Sequence, residues 1–451
     1  MRSMPVCQAP GRDPAECGPG RVAGAGLLYG AAVAFLLLRT PFEAIHGAVL
    51  GEEGTVYLRY AWDAPPLRAL IAPHQGYYSL LPNVCGLLAA RVFPLEAAGQ
   101  LCVFAELAVH MLLAYTLVQC ERFVGLRQKA VAVAVGLLTV PTAAIVLCTD
   151  NAQFFLAIVA GVILISDAER LRWSRLAALG FAGLNGVLSC VLLPLFVLRV
   201  WQERAEARRA KARAAQAVVL VGCCVVQFWA ILAGGGGSLH VQVKARLFAA
   251  AFLINGPLPQ FFSHWSAAEA CKAIGSPKLA GHQTAMWLGI EGAAGLYLLG
   301  VFALAAAGGR AAARLLAMGA LVGLGLAVVR GGNMGADLIC GSGARYFFTF
   351  NLFLGLALVL VAAGAKDWKG RVAGVLVACS LVSGVLDVWY LLGLPHGPVW
   401  RTEVSLWRAD PDHRLRIGPG GWPGIRLTVG HADAKLPFAV YDSTQPGWRE
   451  R

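Results

Sequence analysis

Residues 176–213 read LAALGFAGLNGVLSCVLLPLFVLRVWQERAEARRAKAR, and the path of this stretch decides how the chain is threaded. Its apolar part, 176–200, is long enough for one membrane span, yet Asn185-Gly186 and Pro194 interrupt it. Its basic part, Arg199–Arg213, carries six Lys/Arg. Apolar runs of roughly 16 to 25 residues, enough to cross ~30 Å of hydrocarbon, recur on both sides of it from Val22 to Leu394. With 58% hydrophobic residues, 14% charged residues and a mean hydropathy of +0.64, the chain reads as a polytopic membrane protein.

Spans are expected at 22–39, 97–120, 130–148, 152–167, 215–234, 284–306, 314–330, 346–365 and 372–393. Two stretches are ambiguous: 77–93, apolar but short and holding Pro82 and Asn83, and 176–200. Either the first lies in the interface and the second is a hairpin of two half-length helices, or the first spans and the second crosses once. The choices differ in the loops Glu121–Lys129 and Asp167–Arg175, each with three Lys/Arg. The hairpin places 20 of the 38 Lys/Arg on the cytoplasmic side and 10 in outer short loops, with 8 in the tail. The single crossing places 14 inside and 16 in the outer short loops. Cytoplasmic loops carry the excess of Lys/Arg, so the hairpin is preferred. Broken helices are tolerated in a bundle where other helices or a water-filled cavity satisfy the freed backbone groups.

The expected fold is therefore an all-α membrane protein with about 11 transmembrane segments, N-terminus in the cytoplasm and C-terminus outside. Residues 1–21 form a cytoplasmic tail and 22–393 the membrane domain. Within it lie an outer loop at 41–96, with an interfacial helix at 77–93, and outer loops at 235–283 and 331–345. The some twenty polar and Pro-containing residues before the first apolar run are too many for the n-region of a signal peptide. Residues 394–451, rich in Pro, Gly and Trp, read as a small outer β-rich appendage with strands at 399–406, 425–429 and 438–441. Trp400, Trp407, Trp422 and Trp448 read as its core or interfacial belt, ahead of a sugar-stacking surface.

The net charge of +13 reflects cytoplasmic anchoring, which argues against nucleic acid as a partner and for membrane lipids. The twelve cysteines show no CxxC and fall mostly in apolar segments; Cys271 and Cys340 share the outer side, where a disulfide is an option. No histidine pair has metal-ligand spacing, no phosphate loop accompanies Gly234–Gly237, and no internal repeat suggests an inverted-repeat transporter.

Three outer elements carry chemistry. The first loop holds Glu43, the pair Glu52-Glu53, Asp63 and His74, then Gly76-Tyr77-Tyr78. Adjacent carboxylates repel, which makes one a better proton acceptor near neutral pH, though both also suit the first turn of a short helix. Asp150, in Cys148-Thr149-Asp150-Asn151, stands at a tight turn on the same side, where Asp150 or Asn151 is equally suited to cap the next helix. Arg345-Tyr346 opens a late span after a glycine-rich loop, placed to grip a phosphate or to snorkel. Glu52, Glu53 and Asp150 are thus the candidate catalytic residues and Arg345 with Tyr346 the candidate phosphate site. His74, Tyr77 and Asn151 are candidate substrate contacts.

Together these residues resemble the GT-C membrane glycosyltransferases. The likeness rests on the acidic pair in a long first loop, Gly-Tyr-Tyr-x-Leu-Leu-Pro at residues 76–82, the acidic turn two spans later, the broken hairpin and Arg345-Tyr346-Phe347. It spans 22–393, with Glu-Glu here where an Asp is common in that family. The resemblance implies a polyprenyl-phosphate sugar as donor, a glycan, lipid or protein as acceptor, and inversion at the anomeric carbon. Glu52 or Glu53 would then be the base, Arg345 the phosphate ligand, and Asp150 would orient the acceptor or a divalent cation beside it. The setting would be the plasma (bacterial inner) membrane. Competing readings are an outer-leaflet oligosaccharide polymerase or ligase, a non-catalytic anchor, and a transporter using Glu106, His110, Glu291 and Asp387.

Overall fold

The computed structural model describes residues 19–140, 147–169, 172–233, 245–274, 283–307, 310–331, 344–392, 397–418 and 424–427. Among them the secondary structure is helical, with isolated β-bridges and no ladder. Among the described residues five helices are long and apolar enough to cross a membrane: Leu95–Gln119, Ala207–Ala233, Trp287–Ala307, Arg345–Gly364 and Trp368–Trp389. This is consistent with a membrane protein.

The core gathers around two helices that are apolar on every face. In Ala152–Ile165 every residue except Gln153 is buried, and in Arg345–Gly364 the run Phe347–Val361 is buried without interruption. A helix hydrophobic all round belongs inside a bundle. Gly161 lets the two approach, since a β-carbon there would overlap the Phe353 ring. Both helices begin beside the first long loop, so their close packing fixes what their N-terminal ends present.

The two stretches that are ambiguous in sequence satisfy each other. Residues 176–200 form Trp173–Gly183 and Leu193–Gln202, of 11 and 10 residues, each roughly 16 Å long and too short to span alone. Arg175, at the start, reaches Glu121 at 2.9 Å, and Arg199, at the end, borders the same Glu121–Arg122 corner. The segment is a hairpin. At its bend, Gly186 sits at φ +99°, where a side chain would be strained. The broken backbone is paired with residues 78–81: Leu80 N–H donates to the Leu184 carbonyl (2.9 Å), Gly186 N–H to the Tyr78 carbonyl (3.0 Å), and Leu81 N–H to Asn185 Oδ1 (2.6 Å). Gln227 completes the set, donating to the Tyr78 and Gly183 carbonyls at 2.9 Å.

Two parts differ from expectation. Residues 399–406, read as a strand, begin the helix Trp400–Ala409, whose Trp400, Glu403 and Val404 are buried at helical spacing. The described tail contributes only the bridges Leu415–Ile425 and Leu50–Gly418 to β structure, so the β-rich appendage is not seen among the described residues. The proposed strand at 438–441 lies outside them. The tail packs on the first loop: Trp400 Nε1–H donates to the Leu95 carbonyl (2.7 Å), and Val49, Val56, Tyr60, Val404, Leu415 and Ile417 share one apolar cluster. The long loop at 235–283 also contains two helices, Ala245–Asn255 and Pro257–Ile274. They dock through Asn351, which donates to the Val140 and Asn255 carbonyls at 2.7 and 3.0 Å. Cys271 is disulfide-bonded, its partner lying outside the described residues.

Gly161→Ala should destabilise the fold by about 1–3 kcal/mol, because Phe353 has nowhere to retreat. Gly289→Ala, with nothing within 4 Å of the added carbon, should leave stability unchanged or slightly raised. Thermal unfolding in one detergent compares them; equal midpoints would show that the Gly161 contact does not hold the helices together.

Candidate active site

The chain reaches the site through Gly51, at φ +38°, after Val49–Gly51 has paired with Gly418 of the tail. Helix then starts at Glu52, and Glu53–Leu58 is π-helical, a local widening that recurs at functional sites. Neighbouring residues on a helix point about 100° apart, so Glu52 and Glu53 part company.

Glu53 turns into the protein. Its Oε1 accepts the Thr149 N–H (2.6 Å) and hydroxyl (2.7 Å), and its Oε2 accepts the Leu50 N–H (2.9 Å). One carboxylate thus ties the loop to the turn Thr149–Asn151. Burial pushes its pKa up to about 7, outweighing the three hydrogen bonds, and the Glu52 carboxyl adds to the rise.

Glu52 turns the other way, toward Asp150 and Arg345. Arg345 Nη2 lies 3.5 Å from Glu52 Oε1, and its Nη1 lies 4.0 Å from Asp150 Oδ2. The Glu52 carboxyl lies within electrostatic reach of Asp150, and the Tyr57 hydroxyl donates to Asp150 Oδ1 (3.2 Å). Burial first, then the Glu52 carboxyl, raises the Asp150 pKa above its ordinary value, against the opposing pull of Arg345 and Tyr57. Two carboxyls thus face one guanidinium, and the Asp150 carboxyl is the one held above its ordinary range.

Arg345 is the most open member of the cluster, at 19% side-chain exposure against 8% for Glu52 and 2% for Asp150. Its hydrogen bond to Glu52 (3.5 Å) and its contact with Asp150 (4.0 Å) are longer than the ~2.7–2.9 Å of a tight charge-assisted pair, so among the described residues no carboxylate holds it closely. The guanidinium also stands over the Tyr346 ring at 5.5 Å, and Tyr346 meets Phe154 edge-on.

The remaining sequence candidates lie close by in different roles. The Asp150 side chain goes to Glu52 and Tyr57, and Asn151 makes no side-chain cap for the helix it precedes. Tyr77 accepts from Gln153 (3.0 Å) and donates to Gln75 (3.2 Å), on a turn closed by the His74 and Tyr77 backbones. His74 is packed edge-on between Tyr57 and Tyr60, both at 5.0 Å, and burial holds the imidazole neutral, its pKa pushed down to about 3. Glu43 and Asp63, also singled out in sequence, lie on neighbouring short helices: Glu43 in the first turn of Pro41–His46, its backbone carbonyl accepting the Gly47 N–H (2.9 Å), and Asp63 at the end of Arg59–Asp63.

Sequence reasoning missed Tyr57 and Thr149, the two donors that position the carboxylates. Thr149 adjoins Asp150, but nothing in the sequence reveals that its partner is 96 residues away. Tyr57 is hidden in the apolar run Val56-Tyr57-Leu58. The i, i+4 pair Glu106 and His110 lies buried one level deeper, 3.6 Å apart, within electrostatic reach of Glu53 and Asp150. No group of three His, Cys, Asp or Glu suited to a metal occurs among the described residues, so any cation here would draw on Glu52 and Asp150. Neither a family model, nor a curated protein, nor a solved structure matches this chain.

The Glu53 carboxyl makes a pH signature. The folded state keeps its proton up to about pH 7, whereas the ordinary value is 4.5, so folding takes up a proton between these limits. Stability linked to this group is complete below the lower value and is lost as pH rises through the upper one. Wild type should therefore lose stability relative to Glu53→Gln between about pH 4.5 and 7. A wild-type-minus-variant difference that stays flat with pH would contradict this.

Proposed function

We propose that the chain is an integral membrane glycosyltransferase of the GT-C kind, moving a sugar from a polyprenyl-phosphate donor to an acceptor hydroxyl with inversion. The observation that carries this reading is the cluster of two buried carboxyls, Glu52 and Asp150, around one partly open guanidinium, Arg345. Such a cluster offers the two things the reaction asks of a protein: a proton acceptor and a cation for a departing phosphate.

In the proposed step the acceptor oxygen attacks the anomeric carbon and yields its proton to Glu52 or Asp150, whichever is ionised. The anomeric C–O bond to phosphate breaks, the electron pair leaves on the phosphate oxygen, and Arg345 stabilises that charge. Glu53 is the less apt base, since structural donors occupy its oxygens. It is instead a positioning residue. A lipid-phosphate leaving group needs no general acid, and a polyprenyl tail suits an enzyme built from membrane-length helices. Glycan, lipid and protein acceptors all fit this chemistry, and a divalent cation beside Asp150 would orient the hydroxyl.

The proposed setting is the plasma (bacterial inner) membrane, with about 11 membrane segments, the N-terminus cytoplasmic and the acidic site outside. Cysteines at the exposed positions 127 and 172 should then resist an impermeant thiol reagent applied to intact cells, and one at exposed position 67 should react. The reverse pattern would put the site in the cytoplasm. A second reading, transport, is favoured by buried ionisable residues within the bundle. These are Glu106 with His110, and Arg39, whose Nη1–H donates to the Leu137 carbonyl (3.0 Å) within electrostatic reach of Asp387.

Transfer from a lipid-linked donor by purified protein separates the readings. Glu52→Gln and Asp150→Asn should each lower turnover, the true base by about 10²–10⁴-fold. Arg345→Lys should also lower it, because the charge survives but the two-pronged grip does not. With Asp150 as the base, the acidic limb of the wild-type rate should lie above the ordinary carboxylate range, since its raised carboxyl must first lose its proton; with Glu52 as the base, Asp150→Asn should leave that limb in place. Uptake of a solute without any labelled transfer would support the transporter, and undiminished transfer by all three variants would sink the assigned site.

A further inference from the structure

The helices that start at the acidic cluster end at a second, chemically opposite place. From Asp150 to Ile165 and from Arg345 to Leu360 the chain climbs fifteen residues each, roughly 22 Å of helix. Ile165 and Leu360 border a cavity of about 310 Å³ that the proposed reaction does not use. Its lining also holds three arginines, Arg122, Arg199 and Arg310, and one carboxylate, Glu121. The lining charge is therefore +2, three cations less one anion.

These arginines are unequally satisfied. Arg122 is well held, by Asp167 at 2.6 Å and the Ile165 carbonyl at 3.0 Å. Arg199 pairs with Glu203, but its buried Nε has no hydrogen-bond partner among the described residues. Arg310 makes only a 3.5 Å contact to the Ala363 carbonyl, with no carboxylate partner among the described residues. Gly364 shapes its seat, because a β-carbon there would overlap Arg310 Nε. A partly buried guanidinium with no carboxylate partner among the described residues is available to an anion.

Guanidinium groups in this number suit a phosphate, whose oxygens accept paired N–H donors. The rest of the wall, including Val124, Ala311 and Leu315, is apolar, which a free phosphate would not need. The volume falls at the lower edge of the ~300–1,000 Å³ of small-molecule sites, enough for a headgroup but not for whole acyl chains. We propose that this cavity binds the phosphate of an anionic membrane phospholipid, seated on Arg199 and Arg310 beside Arg122, its chains leaving past the exposed Val124. Basic recesses between membrane helices recognise lipid headgroups by this combination of charge and apolar wall.

The test uses full-length protein reconstituted in phosphatidylcholine vesicles with or without phosphatidylglycerol, with retained lipid counted by native mass spectrometry after detergent extraction. Wild type should keep phosphatidylglycerol in preference to phosphatidylcholine, and millimolar inorganic phosphate should not displace it. Arg310→Gln should lower retention about tenfold, the scale of one lost charge-assisted contact. Gly364→Ala, which crowds Arg310 without removing charge, should lower it too and covers the case in which Arg310→Gln does not fold. Arg371→Gln removes an exposed charge at the same end of the bundle and should retain lipid as wild type does. Equal retention of both lipids overturns the proposal, as does equal loss in Arg371→Gln, which would mean diffuse attraction. Displacement by inorganic phosphate would assign the site to a soluble anion and overturn the lipid assignment.

Discussion

One buried carboxylate, Glu53, is the constraint on which the site depends. It gathers donors from Leu50 and from Thr149, residues on separate parts of the chain, and so locks the first long loop onto the turn that opens the Ala152–Ile165 helix. Because Glu53 is fixed inward, its neighbour Glu52 must face the other way, where Asp150 and Arg345 stand. The tail reinforces this arrangement from behind. Gly418 pairs with Val49 and Gly51, and Ile417 touches the space beside Gly54, where a β-carbon would meet it at 3.0 Å. Loop, turn and tail are thus one structural unit bearing on two carboxyls.

The rest of the bundle supplies rigidity. The Ala152–Ile165 and Arg345–Gly364 helices carry Asp150 and Arg345 at their first turns, and their mutual packing through Gly161 and Phe353 sets how far apart those groups can lie. The resulting contacts are close enough to couple charges and too long to spend the guanidinium's donors. That balance is what an anion-binding site requires: a cation kept in place by carboxylates yet able to turn toward a stronger ligand. The same two helices end at an arginine-lined cavity, so carboxyls around one arginine stand at one end of the most apolar part of the molecule and three arginines at the other.

Much of this was legible in the sequence, for identifiable reasons. Apolar runs located the long helices, since length and hydropathy suffice for that. Asn185-Gly186 marked the hairpin bend because a side-chain amide that pairs with freed backbone groups and a glycine that takes positive φ are what a broken helix needs. Other features were hidden. The 399–406 segment looked like a strand from its flanking turn residues, while its buried Trp400 and Val404 obey the helical period. The helices at 245–255 and 257–274 are anchored by Asn351, nearly a hundred residues on, a partner no local pattern discloses. The division of labour between Glu52 and Glu53 was equally invisible, because it turns on Gly51 at positive φ and the π-helical step that follows.

The central claim is that Glu52, Asp150 and Arg345 form one site for a lipid-borne phosphate, and it can be tested without knowing the sugar. Titration of a polyprenyl monophosphate into the purified protein, followed by calorimetry in buffers of different ionisation enthalpy, reads affinity and proton exchange together. The account predicts saturable binding that takes up a proton near neutral pH, as a third anion joins two carboxyls around one guanidinium, and that weakens about tenfold or more in Arg345→Lys. Binding of equal strength in Arg345→Lys with no proton taken up would contradict it.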